Sequence, residues 1–326
     1  MKLQTPLEIA GCEIRFNYRT KTLLLGSCFA QGIGSRMHDC WMDVMVNPFG
    51  VLFNPCSIAD SLKLLGEDGH FTEEDVLDTP CGYCSLHHHT SFANTYREGF
   101  LKNANRRLDE ARGFYRQTEC VIVTLGTAFI YTYKPTGQVA ANCLKLPQKD
   151  FERRMIGATE VFESLAPEIR RNPGRQWIFT VSPVRHIADG LHQNQLSKAT
   201  LLTGVDMLCD AFDNVHYFPA YEIVMDELRD YRFYAEDMVH PSVQTQDYVF
   251  DRFLEYYLDD EGLDLRDEIR KIIQLYHHEI LKPGSREALS FETRRELALT
   301  DFLKRIGREP FELDLLNWTN FEPSET

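Results

Sequence analysis

The chain has 326 residues, 43% hydrophobic and 26% charged, with 19 Gly and 14 Pro; this composition excludes a disordered, collagenous or low-complexity protein and leaves ample length for a buried core. Its 35 basic and 49 acidic residues give a formal charge of −14, which argues against nucleic acid or anionic membrane as partners held by bulk charge. Nine cysteines, an odd number at irregular spacings, do not make the pattern of a secreted disulfide framework.

In chain order, the apolar pattern predicts a strand over Thr22–Leu25, a helix over Phe29–His38, a strand over Met42–Val46 and a helix over Ser57–Leu65. Gly66–Gly99 carries no clear period and reads as a long functional or lid-like loop. A helix over Phe100–Gln117, a strand over Val121–Leu125, a helix over Lys149–Arg170 and a strand over Trp177–Val181 follow. The series closes with a helix over Gln195–Phe212, a strand over Val215–Phe218 and a helix over Thr245–Leu258. Such alternation predicts an α/β protein, a three-layer α/β/α sandwich on a central, mostly parallel five-stranded sheet. Ligands of open parallel sheets bind at the carboxyl ends of the strands, so chemistry is expected just after these five segments. Beyond Asp259-Asp260-Glu261-Gly262 the chain turns to charged, helix-favouring sequence, Leu265–Leu281 and Glu287–Ile306. The expected division is a sheet domain over 1–260 and a helical C-terminal extension over 261–326, which packs on that domain or forms a homo-oligomer contact. Met1 to Thr20 lacks the apolar stretch of a secretory signal, and the aliphatic runs are strand-sized; the expectation is a cytoplasmic protein without a membrane anchor.

Gly26-Ser27-Cys28-Phe29-Ala30 follows the first strand and opens the first helix. A hydroxyl there sits at the sheet's carboxyl edge, beside helix N–H groups and positive potential that stabilise an oxyanion. The same serine also suits a plain N-cap. Asp237-Met238-Val239-His240 lies in the loop before the last helix of the sheet domain, where a carboxylate can orient one imidazole nitrogen and leave the other to a nucleophile. A capping Asp and a solvated His would look the same in isolation.

Together, in this order, these words resemble the SGNH or GDSL-like esterases, and Gly26–Ala30 spells the motif of the GSCFA family. The resemblance continues through Asn47-Pro48-Phe49-Gly50, Thr124-Leu125-Gly126-Thr127-Ala128, Ser182-Pro183-Val184-Arg185-His186 and Tyr217 to Ser242, spanning residues 22 to 260. It implies Ser27 as nucleophile, His240 as general base and acid, Asp237 as the carboxylate that orients His240, and the backbone N–H groups of Ser27 and Gly50 as an oxyanion hole. It implies no cofactor and no metal. This chain departs from the pattern at one place: the asparagine that usually follows the third strand is replaced by Ala128. Loss of one oxyanion donor costs about a hundred- to a thousandfold in rate, and Asn47 or Thr127 is the candidate substitute. Cys28 reads as a buried small hydrophobe beside the nucleophile.

The rim of the cleft is expected to include His88, His89 and Ser91 from the long loop, then Arg185, His186 and His192 after the fourth strand. Aromatics over Tyr217–Tyr234 suit a sugar-like substrate, although most such rings pack in cores. The expected activity is ester hydrolysis or acyl transfer on a small O-acyl substrate, an acetylated carbohydrate being the leading class. Two alternatives stand beside it: a non-catalytic carbohydrate- or ligand-binding protein on the same fold, consistent with Ala128, and a zinc protein using Cys81, Cys84 and His87–His89.

Overall fold

In the computed structural model, which describes residues 5–8, 14 and 16–307, ten strands and nine α-helical segments are found among the described residues. They are β1 (Thr22–Gly26), α1 (Cys28–Asp39), β2 (Val44–Val46), α2 (Pro55–Gly66), β3 (Leu77–Thr79), β4 (Gly82–Cys84), α3 (Arg97–Arg116) and β5 (Cys120–Leu125). Then come β6 (Phe129–Tyr133), β7 (Gln138–Val139), β8 (Phe151–Met155), α4 (Ala158–Arg171), β9 (Gln176–Val181), α5 (Leu191–Ala211) and β10 (Val215–Tyr217). The series ends with α6 (Ala220–Glu222), α7 (Val243–Tyr257), α8 (Asp260–His277) and α9 (Arg286–Ile306).

The central sheet has the order β10-β9-β5-β1-β2 and every pairing in it is parallel. Its middle strands are near-continuous apolar runs because both faces are covered. Alternation along each strand divides the core in two. Leu23, Leu25, Val121, Val123, Trp177 and Phe179 face the side of α2, α3, α4 and α5, whereas Leu24, Ile122 and Ile178 face α1 and α7. The α/β/α sandwich read from the sequence is therefore present, with all five strands at the expected places.

Two readings need correction. The N-terminal part of the helix placed over Lys149–Arg170 is strand: β8 pairs antiparallel with β6, and β6 with β7, in a second sheet. Its sequence Phe-Glu-Arg-Arg-Met is exposed beyond Phe151, so its charges resemble a helix surface while only pairing with β6 makes it a strand. The segment Gly66–Gly99 also contains a hairpin, β3 with β4.

Helices α8 and α9 pack against the α1 side. Ile269, Ile272, Phe302, Leu303 and Ile306 join its core, and the Phe302 ring meets Tyr18 and Trp41 edge-on. An ion pair of Arg270 with Asp251 joins α8 to α7 at this seam, and one of Arg305 with Glu268 joins α9 to α8. Residues 308–326, the last part of the expected extension and read from sequence as ending loosely over Phe321–Thr326, lie outside the described residues. Among the described residues, no helix is long and apolar enough to cross a membrane, and the eight cysteines are free thiols.

Candidate active site

β1 ends in Gly26, whose φ of +142° is open to glycine alone, and a Cβ there would stand 2.2 Å from the Thr124 carbonyl oxygen of β5. This close passage delivers Ser27 to the start of α1. Ser27 is 2% exposed and caps the helix, its Oγ accepting from the Phe29 N–H at 3.3 Å. The capping and the nucleophile readings thus describe one position.

Asp237 and His240 meet as the sequence suggested: His240 Nδ1 lies 2.6 Å from Asp237 Oδ2. The other carboxylate oxygen, Oδ1, accepts the Val239 and His240 N–H groups at 2.9 Å each. These bonds, the His240 backbone N–H first, then its ring and the Val239 N–H, hold the Asp237 carboxyl down at about 2. The pair is half-exposed. Its loop is tied to the strand edge, since the Arg185 N–H donates to the Val239 carbonyl at 3.2 Å and Ala235 N–H to the His240 carbonyl at 2.8 Å. The first turns of α7 are bound to α1, Arg36 donating to the Val243 carbonyl at 3.1 Å and to Asp247 at 2.7 Å. Burial raises the Cys28 thiol above its ordinary value; among smaller influences Lys198 lowers it and Asp237 raises it, so both charges act on the residue beside Ser27. Among the described residues, no hydrogen bond joins Ser27 Oγ to the His240 ring.

The oxyanion donors inferred from the resemblance are otherwise engaged. Ser27 N–H donates to the Thr124 carbonyl at 3.2 Å, continuing the β1–β5 ladder, and Gly50 N–H donates to the Asn47 carbonyl at 2.8 Å, closing a turn. Asn47 is buried with φ +44°; its Oδ1 accepts from Gly26 N–H at 2.9 Å and its Nδ2 donates to Gln31 Oε1 at 3.2 Å. Thr127 Oγ1 lies 3.2 Å from Ser197 Oγ, which also accepts the Ala128 N–H at 2.8 Å. Neither candidate substitute has its side chain uncommitted.

The rim residues separate. His88 is corrected outright: it is 1% exposed, ringed by Phe49, Phe71, Phe92 and Phe100, with Nδ1 2.7 Å from Ser85 Oγ. Burial pushes its imidazole down to about 3, so it is a neutral core residue away from any rim. His89 does lie beside the 47–50 turn: its N–H donates to the Phe49 carbonyl at 3.0 Å, and a Cβ on Gly50 would stand 2.4 Å from its own Cβ. Its Nδ1 is held by Ser91. His186 packs edge-on against Phe53, and burial, with Lys198 next, pushes its imidazole down to about 4. Arg185 is half-buried and acts electrostatically on the Tyr221 and Tyr234 hydroxyls. His192 is exposed in the first turn of α5. The proposed zinc ligands do not converge: His87 Nε2 turns to Gln138 at 2.8 Å, Cys84 Sγ to backbone carbonyls, and among the described residues no three His, Cys, Asp or Glu side chains form a metal-ligand group.

Lys198, which from sequence could line the rim together with His192 and Asn194, is instead buried. It is 1% exposed, and its Nζ donates to the Gly126 and Ser182 carbonyls at 2.6 Å each, just past β5 and β9. A lone lysine in an amphipathic helix carries no signal that distinguishes it from a solvated one.

Compared with known proteins, the profile described as the GSCFA family matches residues 21–253. No curated protein matches the chain. Among solved structures, an acetyl xylan esterase (Est2A) from the rumen bacterium Butyrivibrio proteoclasticus is similar at 13% identity and a TM-score of 0.31, over 73% of this chain and 63% of that one. The chain thus spans less than two thirds of that esterase's length.

Proposed function

Because the chain belongs to the GSCFA family, we propose that it is a serine ester hydrolase of the SGNH type, acting on a small O-acyl substrate through an acyl-enzyme. The observation that carries this reading is the Asp237–His240 pair, hydrogen-bonded at 2.6 Å on the same sheet edge as Ser27. Ser27 Oγ attacks the ester carbonyl while His240 Nε2 takes its proton, and Asp237 fixes the tautomer by accepting from Nδ1–H. Collapse of the tetrahedral intermediate breaks the ester C–O bond as His240 returns the proton to the leaving alcohol; water then repeats the sequence on the acyl group. The positive end of α1 favours the oxyanion. An acetylated carbohydrate is the substrate class we favour, and the neighbouring depression walled by Tyr221, Tyr231 and Tyr234, about 380 Å³ in volume, supports it by offering aromatic faces to a sugar ring. We assign residues 1–260 to this domain and 261–326 to an extension, and place the protein in the cytoplasm, without nucleic acid or membrane partners; the extension is the surface through which copies would associate.

Incubation of the full chain with a fluorophosphonate, followed by peptide mass analysis, is expected to place the adduct on Ser27. Absence of any adduct on folded protein would favour the second reading, a non-catalytic ligand-binding protein, which the committed oxyanion amides and Ala128 support.

Asp237→Asn is expected to lower kcat about 10⁴-fold, because the amide presents the wrong partner to Nδ1–H. The loop should survive, since the remaining oxygen still accepts from Val239 and His240. With its carboxyl held near 2, Asp237 stays ionised as pH falls toward 4, so an acid limb in the wild-type rate belongs to another group. A variant within tenfold of wild type would remove Asp237 from the mechanism.

A further inference from the structure

We propose that Lys198 is a positioning residue of the Ser27 site: it ties the turn after β5 to the turn after β9 and sets a buried positive charge behind the oxyanion, in place of the side-chain donor that Ala128 lacks. The inference rests on the hydrolase reading and deepens it. Three observations converge. Lys198 Nζ donates at 2.6 Å to both the Gly126 and the Ser182 carbonyls, and so bridges the end of β5, the strand beside β1, to the end of β9, the next strand over. Its neighbour on α5, Ser197, accepts the Ala128 N–H and meets Thr127 Oγ1, so the Ser197-Lys198 pair grips the turn in which an asparagine would otherwise stand. Finally, among the described residues no carboxylate pairs with Lys198, and the titratable group that acts on it is the Cys28 thiol, adjacent to Ser27.

A buried cation without a counter-ion is costly at rest; the Gly126 and Ser182 carbonyls offset part of that cost, and the remainder is offset where negative charge develops, which makes it a preorganised electrostatic device. The groups facing it are the Cys28 thiol of α1, raised by burial, and the His186 imidazole after β9, lowered to about 4. Asp237 in turn acts on Cys28, and Asp189 and His240 act on His186. Burial brings Lys198 itself down to about 7, so its ammonium prevails below neutral pH and is lost above it.

The test is kcat/KM of the full chain for p-nitrophenyl acetate from pH 5.5 to 9, with fluorophosphonate labelling of Ser27 on the same samples. In wild type the profile is expected to fall on the alkaline side as the ammonium is lost. Lys198→Met should lower kcat about a hundredfold, leave KM nearly unchanged and abolish the alkaline fall. Lys198→Arg, whose charge persists, should move the fall beyond the range, and serves as the decisive variant if the methionine protein does not fold. A wild type that labels at Ser27 and hydrolyses ester, with the alkaline limb intact in either variant, overturns the role of Lys198 alone. A wild type with neither adduct nor hydrolysis overturns the hydrolase reading and this inference with it.

Discussion

Ser27→Ala is expected to lower kcat for p-nitrophenyl acetate by about 10⁴- to 10⁶-fold, the loss that follows removal of a serine nucleophile acting as one unit with its base. The structural cost should be small. Ser27 is the N-cap of α1 and accepts a single bond, from Phe29 N–H at 3.3 Å, so loss of the cap is expected to cost about 1 kcal/mol. The separation between these two magnitudes makes the variant informative: a folded protein, a slightly lowered unfolding midpoint, and no turnover. Cys28 is the obvious rival nucleophile, but burial raises its thiol above the ordinary value, which keeps it protonated near neutral pH. Retention of more than a tenth of wild-type kcat in Ser27→Ala would shift the chemistry away from Ser27, and Cys28→Ala would then be the next variant to assay.

Gly26→Ala should produce a larger loss of stability than Gly→Ala at the other described glycines, because its backbone clash is the tightest with a main-chain neighbour. The φ of +142° disfavours any L side chain, and the new Cβ would meet Thr124 backbone at 2.2 to 2.9 Å. Thr124 cannot yield, because it lies in the central strand β5 and pairs with Gly26 itself. Strain and overpacking together are expected to cost about 3 kcal/mol or more, read as a shift of the urea midpoint. A cost below about 1 kcal/mol would mean that the β1–β5 register relaxes easily, and that the turn presenting Ser27 is less rigid than its contacts indicate.

The strands, and with them the sheet edge, were legible because Thr22–Leu25, Val121–Leu125 and Trp177–Val181 are short apolar runs bounded by polar loops, a pattern that burial on both faces demands. Ser27 and the Asp237–His240 pair were legible because each joins a chemically apt residue to a diagnostic place in the alternation. The β6–β8 sheet was not, since β8 is a strand only through its pairing with β6 and its charged residues follow a helix-like rhythm. His88 misled for a related reason: an imidazole in a polar-looking loop gives no hint that four phenylalanines, as near as Phe92 and as far as Phe49, will enclose it.

The sequence by itself determined the order of the five central strands, the position of the candidate nucleophile at the end of β1, and the local Asp237–His240 bond, because each depends on residues close together in the chain. The tertiary structure alone decided that the candidate oxyanion amides are committed, that His88 lies in the core, and that Lys198 spans the ends of β5 and β9. Those outcomes turn on burial and on hydrogen bonds between segments as many as 72 residues apart, as from Lys198 to Gly126, and a buried polar group must take whatever partner the fold brings to it.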